Sequence, residues 1–269
     1  MGEAYEAADE SGRRLALKVL NRSLDNPEDK ERFLREGRLA ASVSHPNSVY
    51  VYETREIEGI PAIVMELVDG GTIRDRIARD GPAPPAEAVG AMLQLIAGLG
   101  AVAERGVLHR DIKPANCFID RTGTVKIGDY GLSLPTSSAD MTRLTAQGIF
   151  IGTPAYASPE QVRCSDVDVR SDIYSAGATM YYMLTGRAPF VRASPMQVLA
   201  AVLQENPASP DKIAPQVPRG VAEVVMRCLR KDPRDRFASY AQLHDALLPF
   251  GTRTPDPARW IARCRAALI

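Results

Sequence analysis

One stretch constrains this chain more than any other feature: His109-Arg110-Asp111-Ile112-Lys113-Pro114-Ala115-Asn116, followed by Asp129-Tyr130-Gly131. Asp111 offers a carboxylate, Lys113 a cation two residues on, and Asn116 an amide five residues on. Asp129 follows thirteen residues after Asn116, at the end of Val125-Lys126-Ile127-Gly128, which reads as a strand. A proton acceptor, a neutralising cation and two oxygen ligands for a hard metal ion are thereby set in a short span. Lysine is scarce, at six residues against 27 arginines, so a lysine at a demanding position is less readily a coincidence.

Composition narrows the setting. The 33 basic and 33 acidic residues cancel, which gives no support to bulk nucleic-acid or membrane-surface binding. Cys117, Cys164, Cys228 and Cys264 are too widely spaced for a zinc pair or a thioredoxin-type motif, and read as free, mostly buried thiols of a reduced compartment. The acidic, polar N-terminus does not read as a signal peptide, and no uninterrupted apolar run reaches the ~18 residues of a membrane span. A cytoplasmic protein is expected.

Residues 3–8 and 14–20 read as a hairpin about Asp9-Glu10-Ser11-Gly12, and residues 28–43 as an amphipathic helix opened by Asn26-Pro27. Two more strands are expected at 48–55 and 60–68 around Glu58-Gly59. Past Asp69-Gly70-Gly71 the pattern becomes helical, near 72–79, 85–105, 171–185, 195–204, 218–230 and 239–248, with short strands near 117–120 and 124–127. The long polar stretch 129–160 reads as a functional loop. The expectation is α+β: a small mainly β lobe (1–68), a larger helical lobe (69–249), a cleft between them, and a linker with a C-terminal helix (250–269).

Phosphoryl transfer from a nucleotide needs held phosphates, an oxygen-ligated metal and an aimed hydroxyl, and each part is here in workable order. These residues resemble the eukaryotic-type protein kinases over roughly residues 2 to 248. The wording of Gly152-Thr153-Pro154-Ala155-Tyr156-Ala157-Ser158-Pro159-Glu160 is similar to bacterial members. The resemblance implies a two-lobed kinase fold, ATP and Mg²⁺ as cofactors, and protein Ser/Thr hydroxyls as substrates, since Lys113 two residues after Asp111 is the serine/threonine arrangement. It makes Asp111 the base, Lys113 the charge neutraliser, and Asn116 with Asp129 the metal ligands. Lys18, in Ala16-Leu17-Lys18, would hold phosphates and pair with Glu36. Gly2, Ala4, Ala16 and Phe118 would line the nucleotide, with Met65 as gatekeeper and the Glu66–Val68 backbone at the adenine edge. Asp172 would steady the catalytic loop, Arg236 would pair with Glu160, and Thr153 would position the substrate loop. Thr142 or Thr145 would be autophosphorylated and would meet Arg110.

Elsewhere the residues read more plainly. His109 is expected to be structural, packed under Tyr130, with His45 in a turn and His244 on a helix. Arg74-Asp75-Arg76 reads as a solvated face. The match departs from the family at Gly2-Glu3-Ala4-Tyr5, which keeps only the last glycine of the glycine-rich loop, so the first strand is expected to be missing from this chain. Either the natural protein begins upstream, or it dispenses with the phosphate flap; weakened ATP binding is expected in the first case. Ala40 stands where the family has a larger apolar residue. The alternative from another class is a pseudokinase scaffold or binding module, against which Lys18, Asp111, Asn116 and Asp129 are all retained; small-molecule phosphotransfer is a third reading. Residues 258–269 form an apolar face between arginines, either a helix docked on the large lobe or the entry to a membrane segment if the chain continues beyond Ile269.

Overall fold

Asp9 sets the first turn. Its Oδ1 accepts from the backbone N–H of Ser11 (3.0 Å) and Arg13 (2.9 Å), while Gly12 takes φ +80°, which side-chain-bearing residues rarely adopt. The turn joins β1 (Gly2–Ala8) to β2 (Arg14–Leu20), which pair antiparallel in full register, as the alternation predicts. With β3 (Val51–Ile57) and β4 (Ile60–Glu66) they form one antiparallel sheet, ordered β1-β2-β4-β3. The computed structural model describes residues 2–20, 31, 37–38, 40–57, 59–129 and 154–251. Of the expected helix at 28–43, residues 31, 37–38 and 40–41 are helical, and Ser42, already in a turn, and Val43 lie past its end; the other residues of that reading, Glu36 included, fall outside the described residues.

The third strand starts later than the sequence pattern suggests, at Val51 and not 48. The reason is tertiary. Asn47, Ser48 and Val49 are taken by the other lobe: Ile127 N–H donates to Asn47 O and Val49 N–H to Ile127 O, both at 2.9 Å. A short hairpin, β5 (Cys117–Ile119) and β6 (Val125–Ile127), supplies that partner. Asn47 Nδ2 continues the link, donating to Val125 O (2.8 Å) and Gln94 Oε1 (3.1 Å). His45 shapes the turn as expected, its Nδ1 accepting from Asn47 N–H at 3.1 Å.

The helical lobe is built on α1 (Ile73–Asp80), α2 (Pro85–Ala103), α3 (Pro159–Val162), α4 (Val169–Thr185), α5 (Pro195–Gln204), α6 (Pro210–Ile213), α7 (Arg219–Cys228) and α8 (Tyr240–Leu247). Their starts follow the sequence: Thr72 and Ser158 form capping boxes, and Asp168, Ser194 and Ser239 cap α4, α5 and α8. Helix α2, of 19 residues, is long and apolar enough to cross a bilayer, but here it is a core helix, with Met92, Leu95, Ile96 and Leu99 buried. Helix α4 is buried almost all round, Ile173, Met180, Tyr181 and Leu184 filling the centre. Each side chain of this kind withdrawn from water contributes about 1.5–3 kcal/mol. Arg76 corrects the reading of residues 74–76 as solvated. It lies on the buried face of α1 and pairs with Glu87 of α2 at 2.7 Å. Among the described cysteines, Cys117 and Cys228 are buried and free, and Cys164 is partly exposed.

Candidate active site

The loop His109–Asn116 runs from α2 to β5, and its shape is imposed from below by one carboxylate. Asp172, on α4 and 1% exposed, accepts from His109 N–H (Oδ2, 2.8 Å) and Arg110 N–H (Oδ1, 2.8 Å). A third donor is the Tyr240 hydroxyl on α8, at 2.9 Å from Oδ2. Three donors satisfy a charge that would be costly if buried alone. They also hold Arg110 at φ +64°, a left-handed conformation costing about 1–2 kcal/mol in a residue with a Cβ. Gln161 completes the anchorage by donating to Arg110 O at 2.7 Å. His109 is buried and structural, as expected: its Nδ1 accepts from Asp111 N–H (3.3 Å) and Nε2 lies 2.9 Å from Gly128 O, which assigns the proton to Nε2.

On this base the polar groups converge. Asp111 Oδ2 accepts from Lys113 Nζ at 2.7 Å and from Asn116 Nδ2 at 3.0 Å. Asn116 Nδ2 also donates to Asp111 O at 2.8 Å, so its nitrogen is committed and its amide oxygen is left for another partner. Asn116 O in turn accepts from Gly128 N–H at 3.0 Å, which seats Asn116 beside the residue preceding Asp129. Asp129, at φ +59°, accepts from Lys18 Nζ at 2.9 Å, an ion pair between the sheet and the helical lobe. Two side-chain groups result, Lys18–Asp129 and Asn116–Asp111–Lys113, joined through the backbone bond between Gly128 and Asn116. Gly128 is required by its neighbours: a Cβ there would lie 2.7 Å from Val49 Cγ2 and 2.9 Å from Phe118 Cε2.

The remaining residues expected to line a nucleotide fall where the strand register puts them. Ala4 pairs with Lys18, and Ala16 with Met65, so Ala4, Ala16, Lys18 and Met65 lie on one face of the sheet, with Gly2 further along the same face. Glu66 ends β4 two residues earlier than the expected strand, and Val68 lies in the connection to α1. Phe118 lies in β5, beside Gly128. Glu36, Tyr130, Thr142, Thr145 and Thr153 lie outside the described residues, and with Glu36 its expected pairing to Lys18.

Behind the site, Glu160 meets Arg236 in a two-pronged pair, Oε1 to Nη1 at 2.6 Å and Oε2 to Nη2 at 2.9 Å, both side chains buried. Burial alone would raise the Glu160 carboxyl; the hydrogen bonds and charge of Arg236, with the Ser171 hydroxyl, outweigh it and hold the group below the usual carboxylate range. This is the pairing expected from the sequence. Three residues were not foreseen: Tyr240 under Asp172, Gln161 on Arg110, and Lys126, whose Nζ lies 2.9 Å from Glu66 Oε1. Only for Lys126 was there a signal, the scarcity of lysine.

The sequence matches the protein kinase domain family over residues 1–248. It is similar to serine/threonine-protein kinase PknB of Mycobacterium leprae, 38% identical over 264 residues that cover 96% of this chain and 42% of that protein. It is also similar to PknB of Mycolicibacterium smegmatis, 37% identical over 254 residues (92% of this chain, 40% of that protein). A probable serine/threonine-protein kinase of Streptomyces coelicolor is 39% identical over 245 residues (89% and 36%). This chain belongs to the protein kinase domain family, in its bacterial serine/threonine branch. The chain spans about two fifths of the length of the curated relatives it matches.

Proposed function

We propose that this chain transfers the γ-phosphoryl group of ATP to serine or threonine hydroxyls of protein substrates. The observation that supports this reading is the pair Lys18–Asp129, which bridges the two lobes, beside the group Asn116–Asp111–Lys113, so that the charges the transfer needs stand at the join between the lobes. Asp111 orients the attacking hydroxyl and takes its proton as the new O–P bond forms and the bond to the β-phosphate oxygen breaks. Lys113 offsets negative charge on the group in flight. Lys18 holds phosphate oxygens, and the Glu66–Val68 backbone holds the adenine edge, with Met65 and Phe118 on its faces.

The donor set fits Mg²⁺. The Asp129 carboxylate and the uncommitted Asn116 amide oxygen are two hard oxygen ligands, the number this ion takes when phosphates and water supply the rest. Bound there, it would neutralise phosphate charge. The test is phosphate transfer from radiolabelled ATP to a generic protein substrate. Asp111→Asn should cut kcat about 100-fold or more with nucleotide binding retained, and Asp129→Ala should abolish transfer with the fold intact. Transfer at wild-type rate by Asp129→Ala would refute the assignment. Absence of transfer by the wild-type chain, with ADP still bound, would favour the scaffold reading.

Regulation follows from Arg110. Its Nε is buried and has no hydrogen-bond partner among the described residues, which supports a phosphorylated Thr142 or Thr145 as its counterpart. Mass spectrometry of active protein should find phosphate on one of them, and full activity of the double alanine variant would overturn this.

A further inference from the structure

Glu66 stands at the join between the lobes, and its carboxylate is tied on both oxygens. Lys126 Nζ lies 2.9 Å from Oε1 and 3.0 Å from Oε2, and Tyr50 N–H donates to Oε2 at 3.2 Å. Its backbone is held as well, Glu66 N–H donating to Tyr50 O at 2.8 Å. The pair is largely withdrawn from solvent, the Lys126 side chain 13% and the Glu66 side chain 27% exposed. It bridges the small sheet and the helical lobe, 60 residues apart in sequence.

Lys126 has a firm mount. It sits in β6 directly opposite Phe118 in β5, and opposed residues of an antiparallel pair share a face. The strand is fixed on either side of it, Val125 N–H donating to Gln94 Oε1 and Ile127 N–H to Asn47 O, both at 2.9 Å. Three residues on is Asp129. One short strand therefore carries the adenine-side Phe118 through its partner strand, the metal-side Asp129 at its end, and the cation that holds the start of the linker. A second ion pair, Arg121 with Asp69, ties the same hairpin to the linker further along, but Arg121 is exposed and the pair is open to water. Exposed pairs of this kind contribute little.

We propose that Lys126 is a positioning residue for the nucleotide. Through Glu66 it fixes the linker backbone that meets the adenine edge at a set distance from Asp129, so that base and phosphates are gripped in register. The proposal rests on the ATP site described above. Without the ammonium, Glu66 is left partly buried with one weak donor and turns toward water, taking the linker backbone with it. The chemistry at Asp111 lies elsewhere and should not feel this.

The experiment is steady-state phosphotransfer at varied ATP, with calorimetry of Mg-ADP binding, on the full chain and its Lys126→Met, Lys126→Arg, Glu66→Gln and Arg121→Ala variants. Lys126→Met and Glu66→Gln should raise the KM for ATP and the Kd for ADP about five- to tenfold, with kcat within about twofold. Lys126→Arg should restore most of the loss, and Arg121→Ala should stay within about twofold of wild type. If Lys126→Met melts below assay temperature, Glu66→Gln decides, since its amide oxygen still accepts from Tyr50. Unchanged KM and Kd with a lowered Tm, or a fall in kcat at constant KM, would overturn the proposal. If wild type shows no transfer, the functional reading fails alone, and the ADP affinities still decide the role of Lys126.

Discussion

Replacing Arg236 with methionine tests how the helical lobe holds the segment behind the active site. The guanidinium is fully buried and pairs with both oxygens of Glu160. It also donates to three backbone carbonyls: Arg230 (2.8 Å), Arg170 (2.8 Å) and Lys231 (3.1 Å). Its carbon lies 5.0 Å from the centroid of the Tyr174 ring. Breaking one side of such a pair strands a buried carboxylate and costs about 3–5 kcal/mol, which for a domain of this size is a loss of roughly 10 °C in Tm. The assay is urea unfolding followed by far-ultraviolet circular dichroism at several pH values. Because the folded Glu160 carboxyl is held below its ordinary value of 4.5, its contribution is present above that pH and is lost as pH falls through the lower folded value. In Arg236→Met the stranded carboxyl is pushed up instead, so the deficit against wild type should narrow on acidification from pH 7 to pH 5. The double variant Glu160→Met, Arg236→Met removes both charges and should be more stable than Arg236→Met alone. A loss under about 1 kcal/mol at pH 7, or a deficit that widens in acid, would refute the reasoning.

Tyr240→Phe removes one of the three donors to Asp172; it should cost about 1–2 kcal/mol in urea unfolding and lower kcat severalfold with the KM for ATP unchanged. Burial first, then the Asp172 charge, pushes the Tyr240 hydroxyl up, so this donor should persist and the effect be the same at pH 6 and pH 9. Lys231 is pushed down to about 8, by burial first and then by Arg236, while its amine donates to Val202 O at 2.6 Å. The unfolded chain then binds more protons between pH 8 and the ordinary 10.5, so the stability of wild type relative to Lys231→Met should rise with pH across that window in paired urea melts. In α2, Gly98→Ala would drive a Cβ into the Asn47 carbonyl and should destabilise by several kcal/mol, whereas Gly100→Ala meets nothing within 4 Å and should stabilise by about 0.5–1 kcal/mol.

What could be read in the chain beforehand follows from how local each signal is. The β1–β2 hairpin was legible because Asp9 and Gly12 make the turn by themselves, and α5 because Ser194, Pro195 and its apolar spacing are contiguous. Asp111, Lys113 and Asn116 sit on one loop, so their mutual reach is written in their spacing. Lys18 and Asp129, 111 residues apart, became legible only through resemblance to a family, since nothing local to either names the other. The partners that escaped are of a different kind. Tyr240 reaches Asp172 across 68 residues, and Lys126 reaches Glu66 across 60, each from an element whose own pattern only says helix or strand. Residues 48 and 49 failed as strand for the same reason: their pattern suits a strand, and extended pairing exists, but it runs to Ile127 and not along the sheet. Arg76 looks like any surface arginine until Glu87 on the next helix is seen to meet it. These contacts are cross-element ties that hold the loop, the hairpin and the linker in register. Spacing along one loop, with the family resemblance, therefore names the groups proposed for the chemistry, while the groups that hold them still are set by packing between elements distant in sequence.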